Sequence, residues 1–303
     1  MVPEVSLIRV SLRVSGFKGY LFTGKFAKTI VARALPQLLG FFEPSKGPAP
    51  KLLHVSPLYR LVGGGVECVY SYANCRGRRL VKCTGEPVPV FLDGDYHFYL
   101  GLHKSVINYA EAVSALAGAG GCFEFMGQRV CVEVSEVAYF DAVALGREVA
   151  SEALESGGVK VVFSSPTLLR DPLRPSGKYK AYSPTPINVF ATPVYAMLHA
   201  RGSFTTARFR RRLIRLHRLF NETYSLLGGV RVKWVYYSTK PEPALVGYVN
   251  YRVNGEYAEY LAARGMDLEE WLGAVFAYTI ALGVGAGRAT GFGHVELKPA
   301  KKG

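Results

Sequence analysis

Apolar and polar side chains alternate along the first strand that the sequence predicts. Isoleucine, valine or leucine stands at every second position over residues 8–14, with arginine or serine between them. This period of two is typical of a strand with one buried face. After a turn, apolar residues recur at helical spacing over residues 26–38, and Thr23 can cap the helix. Pro36 marks the region where this helix ends.

The rest of the first half continues with strands, a second helix and a final strand. An inserted hairpin is expected near residues 64–92. Without this insertion the order is β-α-β-β-α-β, which is the ferredoxin-like order. The predicted elements are strands at Leu52–Ser56, Val66–Tyr72, Arg79–Thr84, Tyr96–Gly101 and Val130–Phe140 and a helix at Ser105–Ala117.

The second half repeats this order. The predicted fold is therefore α+β, with tandem ferredoxin-like (RRM-like) βαββαβ domains. We expect an N-terminal domain at residues 1–141 and a C-terminal domain at residues 158–303, with their boundary in Asp141–Gly158. The predicted elements of this half are strands at Val159–Ser164, Val230–Tyr237, Leu245–Val253 and Gly291–Lys298, a two-piece helical region at Ile187–Leu227 and a helix at Leu268–Leu282.

Composition adds a strong charge imbalance to this picture. The 303 residues include 37 Lys and Arg against 23 Asp and Glu, which gives a formal net charge of +14. Such an excess is typical of a protein with a polyanionic partner. A basic surface that serves only solubility is the alternative. Composition alone does not separate RNA, DNA and a membrane surface.

Targeting segments and cysteine spacing bear on the cellular compartment and on the redox state of the cysteines. The first residues lack the apolar stretch of a signal peptide, and no apolar run is long enough to span a bilayer, so we expect a cytoplasmic protein without a membrane partner. The five cysteines are odd in number and include no CxxC pair. This pattern favours reduced cysteines over disulfides or zinc, and we predict neither a metal nor a cofactor.

A glycine-rich segment, Gly283–Gly293, is the densest local signal, with five glycines in eleven residues. A dinucleotide-binding loop would need a strand before it and a helix after it, which is the reverse of the predicted order here. Exposed amides could instead contact phosphate oxygens, whereas a plain tight turn would need only one glycine. The RNA-binding residues predicted here are Gly283, Gly285, Gly287, Arg288, Gly291 and Gly293.

Three segments resemble one known family, the CRISPR-associated repeat-RNA endoribonucleases (the sixth Cas protein) of the RAMP superfamily. Residues 283–293 match its terminal glycine pattern without a gap. Residues 162–170 resemble the opening strand of its second domain, and residues 51–58 resemble its segment after the first helix. The resemblance implies tandem ferredoxin-like domains that bind a repeat in a precursor CRISPR RNA.

The resemblance also implies a reaction without metal. In it, the ribose 2′-hydroxyl attacks the adjacent phosphate and leaves a 2′,3′-cyclic phosphate and a 5′-hydroxyl. The alternatives are a non-catalytic RAMP subunit that binds RNA within a CRISPR effector complex, and a general RNA-binding protein, for which no RNP motif is present. The sequence leaves open whether the repeat is single-stranded or a hairpin, and whether the chain acts alone or as a homodimer.

Basic residues are the first catalytic candidates. Lys25 and Lys28 lie three residues apart on the first helix, and Lys51 begins the next strand. If these elements converge, three ammonium groups surround one phosphate and can stabilise its transition state. Solvated surface lysines are the alternative.

A histidine candidate and two further cations complete the set. Many relatives carry a histidine between the first helix and the next strand, but Pro36–Leu53 contains none. His54, just beyond this segment, is either catalytic or a core histidine. Arg231 and Lys233 alternate with apolar residues on one predicted strand and share a face that could contact phosphates. A basic helix at Arg208–Arg218 could bind RNA or present a solvated face.

Overall fold

The computed structural model describes residues 4–43, 49–75, 83, 85–174, 180–223, 229–237 and 241–300. Two large antiparallel sheets, a small two-stranded sheet at residues 169–170 and 180–181, and the packed helices form an α+β fold, as predicted. No helix in these ranges combines the length and the apolar character that crossing a bilayer requires.

The first sheet has seven strands within the described residues and carries the first hydrophobic core on one face. Its strand order is β4-β3-β6-β1-β8-β7, and β2 also pairs with β6. The elements are β1 (Val5–Gly19), α1 (Gly24–Ala34), a 3₁₀ turn (Pro36–Leu38), α2 (Leu39–Phe42), β2 (Leu53–Val55), β3 (Tyr59–Val62), β4 (Gly65–Cys68), β5 (Tyr72–Ala73), β6 (Val90–His103), α3 (Tyr109–Ala117), β7 (Gly121–Phe125) and β8 (Gln128–Asp141).

The second sheet has six strands in the described ranges, in the order β15-β9-β14-β13-β5, with β12 paired to β14. The elements are α4 (Ala142–Ser156), β9 (Gly158–Thr167), β10 (Leu169–Arg170), β11 (Lys180–Ala181), α5 (Pro186–Ala200), α6 (Thr206–Leu219), β12 (Phe220–Glu222), β13 (Val230–Tyr236), β14 (Pro241–Val253), α7 (Gly255–Ala262), α8 (Leu268–Leu282), a 3₁₀ turn (Arg288–Thr290) and β15 (Val295–Pro299).

The alternation read from the first strand matches its burial. Ile8, Val10, Leu12 and Val14 are all buried in the first core, where α1 contributes Phe26 and other apolar residues. Along α8, by contrast, every residue from 271 to 282 except one is buried. A helix that is apolar on all sides requires cover on all sides. It contacts α4, α5 and β15 as well as β1, β2 and β6 of the other sheet.

The two halves are tied together at several places. Strand β5 belongs to the first half but pairs with β13, with Ala73 opposite Trp234. A Cβ on Gly101 of β6 would lie 1.6 Å from the carbonyl oxygen of Ala281 in α8, so only glycine allows this approach. The halves therefore share a close interface at the C-terminal end of α8.

Several predicted elements differ from the structure. The segment expected to hold the boundary is α4, which Asp141 caps through its carboxylate. The hairpin strand β7 was not predicted, and α3 begins only at Tyr109. The helical region predicted to reach residue 227 ends as α6 at Leu219, and its last residues, 224–228, lie outside the described residues. The same holds for most of the predicted strand Arg79–Thr84.

The prediction of reduced cysteines is wrong. Disulfides join Cys75 to Cys83 and Cys122 to Cys131, and Cys68 is free. Cys122 and Cys131 are direct partners in the β7–β8 pair, with Cα atoms 4.0 Å apart. This opposition depends on the strand register, which neither an odd cysteine count nor the absence of CxxC reveals.

Candidate functional site

A groove lies where α1, the segment before β2, the end of β10, α5 and the glycine-rich segment meet. Its lining residues therefore come from both halves of the chain. Two lysines and two arginines lie among aromatic side chains and loop backbone at its wall. The lining residues are Lys28, Phe42, Ala49, Pro50, Lys51, Arg170, Thr192, Tyr195, Tyr237 and residues 285–290.

Lys28 and Lys51, both predicted from the sequence, come together in this groove. The Lys28 Nζ atom lies 5.3 Å from the centroid of the Phe42 ring. The Lys51 ammonium donates a hydrogen bond to the carbonyl oxygen of Glu43. Burial lowers the pKa of Lys51, the positive charges of Lys28 and Arg288 lower it further, and Glu43 opposes this effect. A lysine with a lowered pKa transfers its proton more readily near neutral pH.

Lys25 stands one helical turn from Lys28, beside the groove. Its Nζ atom lies 4.3 Å from the centroid of Tyr237, which lines the groove. Burial lowers the pKa of Lys25, and the charge of Lys28 adds to this effect. Lys28 of the first helix and Lys51, two residues before β2, therefore converge as the prediction required, whereas Lys25 lies beside the groove. The roles of the three lysines stay a prediction.

The glycine-rich segment is more buried than expected for a row of exposed amides. Gly283, Gly285, Gly291 and Gly293 are buried, and only Gly287 among the five is exposed. Gly293 has φ +80°, and a Cβ there would lie 1.9 Å from the carbonyl oxygen of Val284. The packing itself requires more than the one glycine expected of a plain tight turn, because a Cβ on any of the five would lie within 3.0 Å of a neighbouring atom. Phosphate binding by this segment stays a prediction.

Gly24 and Gly291 bring the segment against the first turn of α1. A Cβ on Gly24 would lie 2.3 Å from the carbonyl oxygen of Thr290 and 2.5 Å from the Cα atom of Gly291. This contact leaves Lys25 and Lys28 immediately beside residues 288–291. The packing of glycines thus fixes the position of the lysines relative to the loop.

Arg288 is buried, which differs from the exposed phosphate contact expected for it. Its guanidinium donates one hydrogen bond of 2.8 Å to the carbonyl of Leu282 and another of 2.9 Å to the carbonyl of Lys51. Burial lowers its pKa to about 10. Because the cation is engaged with two backbone carbonyls, its structural role is to join the end of α8 to the backbone of Lys51.

His54 is fully buried and does not line the groove, so the placement does not fit the predicted catalytic role. Its Nδ1 atom lies 2.9 Å from the carbonyl oxygen of Arg288 and donates to it. Its Nε2 atom lies 3.1 Å from Nδ1 of His294, which therefore donates. Burial, His294 and Arg288 lower the pKa of His54 well below its ordinary value. His54 is thus a neutral imidazole that holds the backbone of Arg288.

Arg231 and Lys233 are both exposed on β13, as their alternation predicts, but they do not line the groove. The Lys233 Nζ atom lies 5.7 Å from the centroid of Tyr72 in β5. Any RNA contact of these two residues is therefore made outside the groove, and it stays a prediction.

Sequence reasoning missed the groove residues that β10 and α5 contribute. Arg170, Thr192 and Tyr195 come from β10 and α5, more than 100 residues from Lys51 in the chain. Arg170 is the last residue of the segment 162–170, which resembles a family strand. This position in the resembling segment could have identified Arg170 as a site residue. The two residues on α5 stand in an apolar helical pattern that gives no sign of a groove.

Comparisons with known proteins bear on the fold. No family model matches the sequence, and no curated protein matches it. Among solved structures, a product complex of Thermus thermophilus Cas6 (TTHB231) is 15% identical, with 97% of this chain and 99% of that chain covered and a TM-score of 0.59. The chain has the fold of the Cas6 and RAMP proteins.

Two further structures support the Cas6 fold. A substrate mimic complex of Cas6 (TTHA0078) is 16% identical, with coverage of 97% and 99% and a TM-score of 0.54. A RAMP protein that binds different RNA substrates is 12% identical, with coverage of 96% and 99% and a TM-score of 0.50. The likeness extends over nearly the whole chain in each case, as the sequence resemblance predicts.

Proposed function

We propose that this chain is a metal-independent endoribonuclease that cuts CRISPR repeat RNA in precursor transcripts. The single observation that carries the proposal is the groove in which Lys28 and Lys51 face the glycine-rich segment. The net charge of +14 and the Cas6 fold support an RNA substrate. The similar structures are a Cas6 product complex and a Cas6 substrate mimic complex.

The proposed reaction needs a proton donor and a cation at one phosphate. The ribose 2′-oxygen forms a bond to phosphorus and releases its proton to a base in the solvent, while the bond from phosphorus to the 5′-oxygen breaks. The Lys51 ammonium, whose pKa is lowered, donates a proton to the leaving 5′-oxygen. Lys28 stabilises the charge on the phosphorane, and Lys25, whose Nζ atom lies against the Tyr237 ring, adds positive charge nearby.

A non-catalytic RAMP subunit is the second candidate, and one observation favours it. None of the side chains that line the groove, in the part of the chain that the structure describes, is a histidine. Such a subunit would bind RNA in the same groove and act within a CRISPR complex. One similar structure is a partial Cas6-RT-Cas1–Cas2 complex, 12% identical with a TM-score of 0.52, in which this chain covers 46% of that chain.

Cleavage in EDTA tests the proposal. The purified chain is incubated with end-labelled repeat RNA, beside the same RNA with one 2′-deoxy nucleotide at the cut site. The proposal expects a single cut in EDTA, a 2′,3′-cyclic phosphate end, and no cut in the deoxy RNA. Binding of repeat RNA without any cut would favour the non-catalytic subunit.

A further inference from the structure

A second basic surface lies on α6 and α7 and shares no residue with the groove described above. Five arginines line it together with two tyrosines and a few apolar side chains. We call it the arginine cleft. Its lining residues are Ala207, Arg210, Arg211, Ile214, Arg215, Arg218, Tyr257, Tyr260, Leu261, Arg264 and Met266.

The arrangement follows from the two faces of α6. Leu213, Leu216 and Leu219 are buried in the second core, which fixes the orientation of the helix. The arginines at positions 210, 211, 215 and 218 then lie on the side that faces α7. They extend over about 12 Å of helix axis at 1.5 Å per residue. A row of cations is therefore held on a rigid element.

Within the described ranges, the positive charge of the arginine cleft has no acidic counterpart. No carboxylate lines the cleft, and no ion pair joins its five arginines to any residue that the structure describes. Glu256 and Glu259 lie on α7 but are not part of the lining. Arg212, on the same helix, has a pKa lowered by burial and then by Arg215, Arg201 and Arg208. Positive charge therefore accumulates along α6.

Two tyrosines add a flat aromatic surface to the arginine cleft. The rings of Tyr257 and Tyr260 are stacked, with centroids 5.6 Å apart and planes 17° apart. The Arg264 guanidinium lies 4.3 Å from the centroid of Tyr260. Tyr260 is 46% exposed, and because Tyr257 and Arg264 already lie against its ring, a further stacking partner would take the place of the Arg264 guanidinium. Aromatic rings beside a row of cations are typical of surfaces that bind unpaired nucleotides.

We propose that the arginine cleft binds a single-stranded segment of RNA, as a second site outside the groove. The arginines contact phosphates, and a base stacks on Tyr260 in place of the Arg264 guanidinium, which is then free to contact a phosphate. An acidic polypeptide would use the cations but not the exposed ring. The choice of RNA as the polyanion rests on the proposed function, whereas the binding site itself does not depend on cleavage.

Salt-dependent binding tests the proposal on the full chain. Anisotropy of a labelled, unstructured 30-nucleotide RNA is measured for the wild type and for the triple variant Arg211→Ala, Arg215→Ala, Arg218→Ala. We expect weaker binding and a salt slope, log Kd against log salt concentration, that falls by about 2, because each phosphate contact on a single strand contributes about 0.7.

A matched control removes three cations elsewhere. The variant Arg13→Ala, Arg60→Ala, Arg174→Ala loses the same charge from exposed arginines that pair with Asp95, Glu67 and Asp171. It should keep the wild-type slope. Equal losses in both triple variants would mean a general charge effect and would overturn the site. Circular dichroism of each variant confirms that the fold is intact.

The aromatic part has its own pair of variants. Tyr260→Ala should weaken RNA binding roughly tenfold, whereas Tyr260→Phe should retain it, because stacking needs the ring and not the hydroxyl. Polyglutamate is the competing probe. If Arg211→Ala, Arg215→Ala, Arg218→Ala abolishes polyglutamate binding but leaves RNA binding unchanged, the occupant is an acidic polypeptide and the proposal is overturned.

The failures of the two proposals are distinguishable. If the chain binds RNA through the arginine cleft but never cuts it, only the proposed endonuclease activity is contradicted. If the chain cuts repeat RNA and the cleft variants bind RNA as tightly as the wild type, only the proposed second binding site is contradicted.

Discussion

His54 lies in β2 of the first sheet and His294 directly before β15 of the second, yet Nε2 of the first is 3.1 Å from Nδ1 of the second, and the two ring planes are only 8° apart. Both imidazoles are buried, and His294 also stacks on Tyr99 of β6 at 4.7 Å. The pair therefore joins the two halves directly beneath the glycine-rich segment.

This buried pair predicts that acid destabilises the fold. Burial lowers the pKa of His294 from 6.5 to about 4, and that of His54 is also lowered. Below pH 6.5 the unfolded chain binds protons that the folded chain does not, so the free energy of unfolding falls as the pH drops towards 4. Each such proton contributes about 1.4 kcal/mol per pH unit. Urea unfolding between pH 7 and pH 5 measures this slope.

His294→Gln should flatten that slope, and exposed His217→Gln on α6 should leave it unchanged. Glu4 and Glu296 also have a lowered pKa, but their unfolded value of 4.5 places their effect mainly below pH 5. A wild type whose stability is flat between pH 7 and pH 5 would contradict neutral buried imidazoles.

Gly293→Ala should be much more destabilising than Gly265→Ala. Both glycines have positive φ, +80° and +74°, but only Gly293 has the Val284 carbonyl oxygen at 1.9 Å from a Cβ position; nothing lies within 4 Å of that position on Gly265. The conformation alone costs about 1–2 kcal/mol. The clash at Gly293 should add about 1–3 kcal/mol. Chemical unfolding of both variants gives the difference, and equal losses would show that the loop is not packed as described.

Much of the fold follows from sequence periodicity, and the exceptions have physical reasons. The bounds of α8 agree with the prediction, because its N-cap Asp267 and the glycine after Leu282 mark both ends. Helix α4 was missed because its buried face consists of Ala142, Gly146, Ala150 and Ala153. Small residues that pack closely on α8 give no strong apolar period.

The site was predictable only in part for a similar reason. The spacing of Lys25 and Lys28 on one helix is local information, and the structure places Lys28 in the same groove as Lys51 and Lys25 beside it. The burial of His54 depends on His294, which lies 240 residues later in the chain. No local pattern contains that contact, so the sequence left His54 open to both a catalytic and a core role.

Lys28→Ala should move the alkaline limb of the cleavage rate to higher pH. The charge of Lys28 lowers the pKa of Lys51, so its removal raises that pKa. If Lys51 is the proton donor, activity is lost as the pH rises through its pKa, and the loss then occurs at higher pH in the variant. Single-turnover rates from about pH 7 to about pH 10.5, a range that spans the ordinary pKa of lysine, measure the limb. If the alkaline limb stays at the same pH while the rate falls, Lys28 contributes to the reaction without acting through the pKa of Lys51.

The disulfides predict a specific labelling pattern. Iodoacetamide applied to the denatured, unreduced chain should add one label, on Cys68, whereas prior reduction should give five. Mass spectrometry counts the labels. Five labels without reduction would show that the cysteines are reduced in the isolated protein.

The most direct test of the proposed function is the single-turnover cleavage of repeat RNA by Lys51→Ala, with exposed Lys104→Ala as the control. We expect a rate about 100-fold or more below the wild type for Lys51→Ala, at saturating protein and in EDTA, with the control at the wild-type rate. A Lys51→Ala variant that cuts as fast as the control would contradict the assignment of the chemistry to this groove.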